Sequence, residues 1–355
     1  MAESSNNGRE AQRRDERKVK CLVWDLDNTL WDGVLLEDER VTPREGVAEI
    51  VKALDARGIV QSIASKNDHA AAMAKLRDFR LDEYFIHPQI NWQSKVASIK
   101  KIAGLINVGL DALAFADDQP FELDEVRFSL PEVLCVDAAG LGGLLDMPEM
   151  TPRFITEDSR LRRWMYLDDI ARQRSEEEFA GTREEFLATL GMTFTLSAAG
   201  EEDLRRAEEL TVRTNQLNTT GRTYSYEELD RFRQSRRHKL LIAGLEDKYG
   251  SYGKIGLALV ELNEAAWVVK LLLVSCRVMS RGVGMVMLSH IMRAAKEKKV
   301  RLLSEFVASE RNRMMYVSYK FMGFREVSRD GDASLLEHDL TEIPPVPSYL
   351  KVEHE

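Results

Sequence analysis

Up to about residue 150 the sequence alternates short apolar runs with amphipathic stretches of helical spacing, and this rhythm limits the fold more than any other feature. "CLVWDLD" is followed by "GVAEIVKALDARG", "VQSIASKND", "HAAAMAKLRDF", "SKVASIKKIAGLI", "ALAFADD" and "EVLCVDA". Strands alternating with helices predict βαβ units and a parallel sheet with helices on both faces. In such sheets the chemistry gathers at the carboxyl ends of the strands. The polar residues fall there: Asp25 and Asp27 after the first apolar run, Ser65 after the second, Asp117 and Asp118 after a later one. Two carboxylates one residue apart repel each other, and the pair is costly unless a cation or a reaction uses it.

Residues 151–190 read differently. "DSRLRRWMYLDDIARQRSEEEF" and "TREEFLATL" place apolar residues at helical spacing among dense charge, predicting a helical connector. From about residue 191 a second pattern begins: a strand at "MTFTLSAA", a helix at "EEDLRRAEELTVRT", then strands at "KLLIAGLED", "GKIGLALVELN" and "AAWVVKLLLVSC". A long helix at "GVGMVMLSHIMRAAKEKK", a strand at "RLLSEFVA" and a helix at "NRMMYVSYKFMGF" complete it. Adjacent strands with a glycine-opened helix predict an α+β domain over 191–345. With 355 residues the chain is long enough for two cores. The expected plan is therefore a tail over 1–17, an α/β domain over 18–150, the connector, and the second domain.

Composition excludes several classes. A formal charge of −9 argues against a general nucleic-acid binder, and no apolar run approaches a membrane span. The N-terminal stretch "MAESSNNGREAQRRDERK" has no apolar core, so it reads as a disordered tail and not as a secretion signal. Cys21, Cys135 and Cys276 have no metal-like spacing, and the cytoplasm is the expected compartment. One basic run, "RFRQSRRHK" at 231–239, reads as a solvated helix end or as a docking patch for an acidic partner protein.

"DLDNT", "SIASKND", "WQSK" and "FADD", in that order, resemble the four motifs of the haloacid dehalogenase superfamily of phosphotransferases, over about residues 18–140. The resemblance implies Asp25 as nucleophile and Mg²⁺ ligand. It implies Asp27 as the acid for the leaving oxygen, its backbone carbonyl also facing the metal. Ser65 would bind the phosphoryl oxygens, Lys95 would hold the pocket's charge, and Asp117 and Asp118 would complete the metal site, since Mg²⁺ takes oxygen ligands. Asn28, Thr29, Lys66 and Asn67 of the same motifs become candidate substrate contacts. The short stretches between Asp27, Ser65 and Lys95 leave no room for a separate cap domain, so the site is expected to be open.

"SCRVMSRGVGMVML", together with the later "YVSYKFMGF", resembles the coenzyme A-binding acetyltransferase fold, in which helix N-terminal amides cradle phosphate. Gly282 and Gly284 match the turn, but Met279 stands where Gln or Arg is usual. A phosphopantetheine arm with a single phosphate would need less of that turn than free coenzyme A. Tyr319 stands where related enzymes keep a tyrosine near the leaving thiol. Cys276, with Arg277 beside it, is a candidate acyl carrier. In "VRTNQLNTTGRTYS", Asn215, Gln216 and Asn218 form a polar cluster suited to a small polyol.

The combination resembles the FkbH-like glyceryl transferase/phosphatase family over nearly all of the chain after the tail. That resemblance implies D-1,3-bisphosphoglycerate as substrate, removal of phosphate, and loading of D-glyceryl onto an acyl carrier protein for polyketide pathways, as methoxymalonyl units or tetronate rings. Asp32 and Ser251 stand where members often have Gly and Asp. The alternative is a Mg²⁺-dependent phosphatase with an accessory acyl-CoA-dependent acetyltransferase-like domain.

Overall fold

The structure, a computed structural model, describes residues 19–214 and 216–354; the tail read over 1–17, and Asn215, lie outside them. The chain divides into two compact units between Leu167 and Asp168. The first contains β1 (Cys21–Trp24), β2 (Trp31–Asp32), β3 (Thr42–Pro43), α1 (Val47–Ala56), β4 (Val60–Ser65), α2 (His69–Asp78), β5 (Gln89–Ile90) and α3 (Lys95–Leu105). It continues with β6 (Leu113–Asp117), α4 (Pro120–Ser129), β7 (Leu134–Asp137), α5 (Glu157–Arg160) and the start of α6 (Arg162–Glu178).

Five strands form a sheet in the order β5-β4-β1-β6-β7, every pair parallel. All four β1 residues are buried, as an unbroken apolar run in the middle of a parallel sheet requires. The buried Trp24 indole donates to Gln61 Oε1 at 3.1 Å, and the Gln61 amide donates in turn to the Val51 carbonyl at 2.8 Å. Helix starts are set by local caps: Asp68 accepts from Ala71 N, Ser94 from Ala97 N, and Pro120 opens α4. After β1 the chain makes a small flap, in which β2 and β3 pair through Trp31 with Pro43 and Asp32 with Thr42. Gly33 at its tip has φ 102°, and a Cβ there would come within 2.8 Å of Asp38 Oδ2, so a side chain is excluded twice over. The short spacing between Asp27 and Ser65 predicts one helix and a short flap there, although two-residue strands carry no periodicity from which to read its pairing.

The segment 151–190 is shared between the units, since α6 spans the division. The second unit then holds α7 (Arg183–Thr189), β8 (Met192–Ala198), α8 (Leu204–Arg213), α9 (Tyr226–Gln234), β9 (His238–Asp247), β10 (Gly250–Leu262) and β11 (Ala266–Val274). It ends with α10 (Val283–Lys298), β12 (Arg301–Val307), α11 (Arg313–Phe321), β13 (Arg325–Asp330), β14 (Ala333–His338) and β15 (Leu350–His354). Eight strands run in the order β13-β14-β12-β11-β10-β9-β8-β15. Only β11 with β12 and β15 with β8 are parallel. The last strand lies beyond residue 345, where the sequence reading ended this domain; a short alternating run after three prolines is a weak strand signal.

Strands β11 and β12 pair only through Ala266–Val269 and Arg301–Ser304, then part. The segment Leu217–Thr219 lies in the gap. Val274 N donates to the Leu217 carbonyl at 2.9 Å and Thr219 N to the Leu272 carbonyl at 3.0 Å, while Val307 N reaches the Thr219 carbonyl at 2.9 Å. Leu272 N is met by Thr219 Oγ1 at 3.0 Å. The backbone groups freed by the parting are thus satisfied within the chain, as buried amides must be.

Candidate active sites

Four segments converge at the carboxyl end of the parallel sheet. Asp25 follows β1, Ser65 ends β4, Asp117 ends β6, and Lys95 is the first residue of α3. Asp25, Lys95 and Asp117 are all almost wholly buried. The Lys95 ammonium bonds to Asp25 Oδ1, donates to the Ala64 carbonyl at 3.0 Å, and lies 3.1 Å from Asp117 Oδ2 as an ion pair. The Ser65 hydroxyl also bonds to Asp25. Burial raises the Asp25 carboxyl, and Lys95 opposes this without cancelling it. Burial, then the Asp25 charge, pushes Asp117 up to about 6. Asp118 is raised by burial and by Asp117. Lys95 is pulled down by burial, but Asp25 and Asp117 outweigh this and its pKa is raised. One ammonium thus faces two buried carboxylates and a third nearby, an excess of negative charge that calls for a cation.

The chain's own groups fit a metal there. Oxygen atoms of Asp25, Asp117 and Asp118 lie within 4.8 Å of one another. Buried Asp117 Oδ2 has no hydrogen-bond donor, its ion pair with Lys95 lacking hydrogen-bond geometry. An all-oxygen, carboxylate-rich set suits Mg²⁺. The Asp27 carboxylate is not in this group. Its Oδ1 accepts from the Trp31 indole at 2.8 Å and Leu35 N at 3.1 Å, and its Oδ2 from the Asn67 amide at 3.0 Å. The flap and the loop after β4 therefore hold Asp27 in a fixed pose. Titrating Mg²⁺ into metal-free protein is expected to raise the melting midpoint of this unit. At about a hundred times Kd the gain is about 2.7 kcal/mol, and calorimetry on Asp118→Asn should show a smaller one.

Of the remaining residues singled out, Thr29 donates weakly to Asp118 Oδ1 at 3.5 Å. Asn28, at φ 53°, accepts from Gly33 N and so ties the base of the flap. Lys66 donates to Glu122 Oε1 at 2.6 Å. Glu122 was missed from the sequence; its place in the first turn of α4, four residues after Asp118, was the available signal.

In the second unit, a cavity of about 230 Å³ lies between the end of β11, the start of α10 and the inner side of α11. Gly282 and Gly284 line it, as do Leu217, Val274, Val278, Tyr319 and Tyr349. So do Met279, Met285, Met314, Met315 and Met322. Gly282 sits at φ 77° as the N-cap of α10, and a Cβ would come within 2.9 Å of the Tyr349 hydroxyl. Tyr319 is buried with its hydroxyl on Ser304 Oγ at 3.0 Å, and burial pushes the phenol well up. Cys276 opens a short 3₁₀ turn, Cys276–Val278, and is half-buried; Val274 and Val278 on either side line the cavity and Cys276 does not. Arg277 donates to the Tyr252 carbonyl at 2.8 Å.

Of the polar cluster after α8, Gln216 and Asn218 do not line this cavity, and Asn215 lies outside the described residues. Asn218 is buried in its own turn, its Oδ1 accepting from Thr220 N and Gly221 N and its carbonyl accepting from the Asn312 amide. Gln216, half-buried, precedes the cavity-lining Leu217. The methionine wall was missed from the sequence, although "NRMMYVSYKFM" carried a signal in its methionine density.

Neither a protein-family model nor a curated protein matches the chain. Solved structures do. One is the N-terminal part of a Bacteroides fragilis protein containing a phosphatase domain complexed with Mg, 28% identical, covering 38% of this chain and 41% of that one, TM-score 0.33. This chain therefore spans well under half of that neighbour's length. Another is the ribosomal-protein-S18-alanine N-acetyltransferase of Escherichia coli, 18% identical, covering 41% and 90%, TM-score 0.32. A third is a spermidine N-acetyltransferase of Vibrio cholerae, 16% identical, covering 41% and 92%, TM-score 0.32. The neighbours are thus a phosphatase domain and acetyltransferases. Among the described residues no helix is long and apolar enough to cross a membrane.

Proposed function

We propose that the protein is a glyceryl transferase/phosphatase of the FkbH-like type. It would take D-1,3-bisphosphoglycerate, remove its phosphates, and load D-glyceryl as a thioester onto an acyl carrier protein. The observation that carries the reading is the buried cluster of Asp25, Lys95, Asp117 and Asp118, in a chain whose second unit holds an apolar cavity behind a glycine-opened helix. On this reading the two units are a haloacid dehalogenase-like domain and an acetyltransferase-like domain.

Mg²⁺, held by Asp25, Asp117 and Asp118, would neutralise charge on the transferring phosphoryl group. Asp25 attacks the phosphorus of the ester and the bond to the glyceryl oxygen breaks. Asp27, aimed by Trp31, Leu35 and Asn67, gives that oxygen its proton and then takes one from the water that frees inorganic phosphate. Lys95 and Ser65 keep Asp25 in line. At the acyl phosphate end a thiolate attacks the carbonyl carbon and phosphate leaves. The reading assigns that thiolate to Cys276, with transfer onward to the carrier's pantetheine thiol. Arg281, buried just before Gly282, pairs with Glu176 at 3.6 Å and has its Nε without a hydrogen-bond partner; the reading assigns it to the arm's phosphate.

The position of Cys276 outside the cavity lining favours a second route, direct attack by the pantetheine thiol. Intact-protein mass spectrometry separates the two. Enzyme, Mg²⁺, D-1,3-bisphosphoglycerate and phosphopantetheinylated carrier should give a carrier heavier by one glyceryl group, with two phosphates released per group loaded. If Cys276→Ala still loads the carrier, transfer is direct. Free phosphate with an unmodified carrier would leave only a phosphatase.

A further inference from the structure

Helix α11 forms one wall of the cavity. Its inner side contributes Met315 and Tyr319 to the cavity wall, with Met314 and Ser318 at the edge. Its outer side exposes Arg313, Met314, Val317, Lys320 and Phe321, which helical spacing sets in one stripe. The apolar members are unusually bare: Met314 is 56% exposed, Val317 51% and Phe321 78%. Exposed apolar side chains scattered singly need no explanation, but three along one helical face mark a contact surface. The charge around them is mainly positive. Arg311, Arg313, Lys320 and Arg325 are all exposed, against Glu310 and the half-buried Glu326 over 310–326, in a chain of net charge −9. In the run at 231–239, Arg233 pairs with Asp230 and Arg237 with Glu261.

We propose that this outer face of α11 docks an acidic, apolar-seamed helical surface of the carrier protein, whose pantetheine arm enters the cavity behind the same helix. An apolar seam framed by bases is complementary to such a partner, and its charges steer the encounter. The inference rests on the carrier-loading reading and moves the docking site away from 231–239.

The test is a titration of acidic holo carrier protein into full-length protein, alongside loading kinetics. The double variants Val317→Glu/Phe321→Glu and Arg313→Glu/Lys320→Glu should each weaken carrier binding at least about tenfold, a loss of about 1.4 kcal/mol. Loading of free phosphopantetheine by the same variants should be unchanged, which shows that the second unit is folded. A carrier with its acidic residues replaced by lysine should recover binding to the Arg313→Glu/Lys320→Glu variant. Wild-type protein that binds no acidic holo carrier overturns the docking, as does unchanged affinity in the variants with loss on Arg231→Glu/Arg236→Glu. If Phe321→Glu instead splits a dimer of this chain with carrier binding intact, the face is a self-contact and the proposal fails. Binding that is lost in the variants while wild-type never loads the carrier keeps the docking and overturns the loading.

Discussion

Asp25→Asn is expected to stop phosphate release from small phosphomonoesters, a fall of at least about a thousandfold in kcat, as for other nucleophiles removed from a working unit. The amide keeps the shape of the carboxylate but has no charge with which to attack phosphorus. The loss will not come from unfolding. Lys95 retains its ion pair with Asp117 and its bond to the Ala64 carbonyl, and one of three crowded acids becomes neutral. The melting midpoint of metal-free protein should therefore hold or rise, and its response to Mg²⁺ should shrink. A stopped phosphate assay beside calorimetry reads both. A variant that turns over small phosphomonoesters at a tenth of the parent rate would remove Asp25 from the role of nucleophile.

Arg172→Met is expected to act in the opposite sense, with little effect on chemistry in the first unit and a large one on the stability of the second. Arg172 is only 1% exposed. It bonds to both oxygens of Asp247, at 2.7 and 2.9 Å, and to Asp169 at 2.8 Å, with its guanidinium carbon 3.9 Å from the centre of the Tyr252 ring. Replacing it leaves a buried Asp247 carboxylate without its cation, a loss of about 3–5 kcal/mol. In a unit of this size that lowers the melting midpoint by roughly 10 °C. Tyr252, whose hydroxyl donates to the same carboxylate at 3.0 Å, gives only partial relief. Calorimetry should show the second transition shifted and the Mg²⁺-responsive one in place.

The elements that carry the aspartate cluster were legible because each follows or opens a long, unambiguous segment. Asp25 and Asp117 come directly after apolar runs buried on both faces, and Lys95 follows a serine cap. What could not be read was how short or mixed segments meet. The spacing after Asp27 left room for a flap, but its two-residue strands have no period from which to read that they pair and hold Asp27. The Lys66–Glu122 pair joins residues 56 apart. Near the parted strands Asn218 Oδ1 serves Thr220 N and Gly221 N and Thr219 Oγ1 serves Leu272 N, contacts that a polar run in a sequence does not reveal. Tyr319 likewise reads as a tyrosine near a leaving thiol; it lines the cavity, and the bond its hydroxyl accepts from Ser304 Oγ is a contact between residues 15 apart that no local pattern announces.

The plug of Leu217–Thr219 has a consequence for selectivity. Because it occupies the free edge of β11, a guest chain finds no strand to extend there and cannot be held by a ladder of main-chain bonds. Recognition in the neighbouring cavity falls instead to contour, with Leu217 as one fixed wall and the pliant methionines as the others. Such a chamber measures its occupant by bulk, and each methylene too many or too few changes the fit by about 1–3 kcal/mol. On the carrier-loading reading, the acyl group would be sorted by length, with Leu217 of the sheet's own filling serving as the stop.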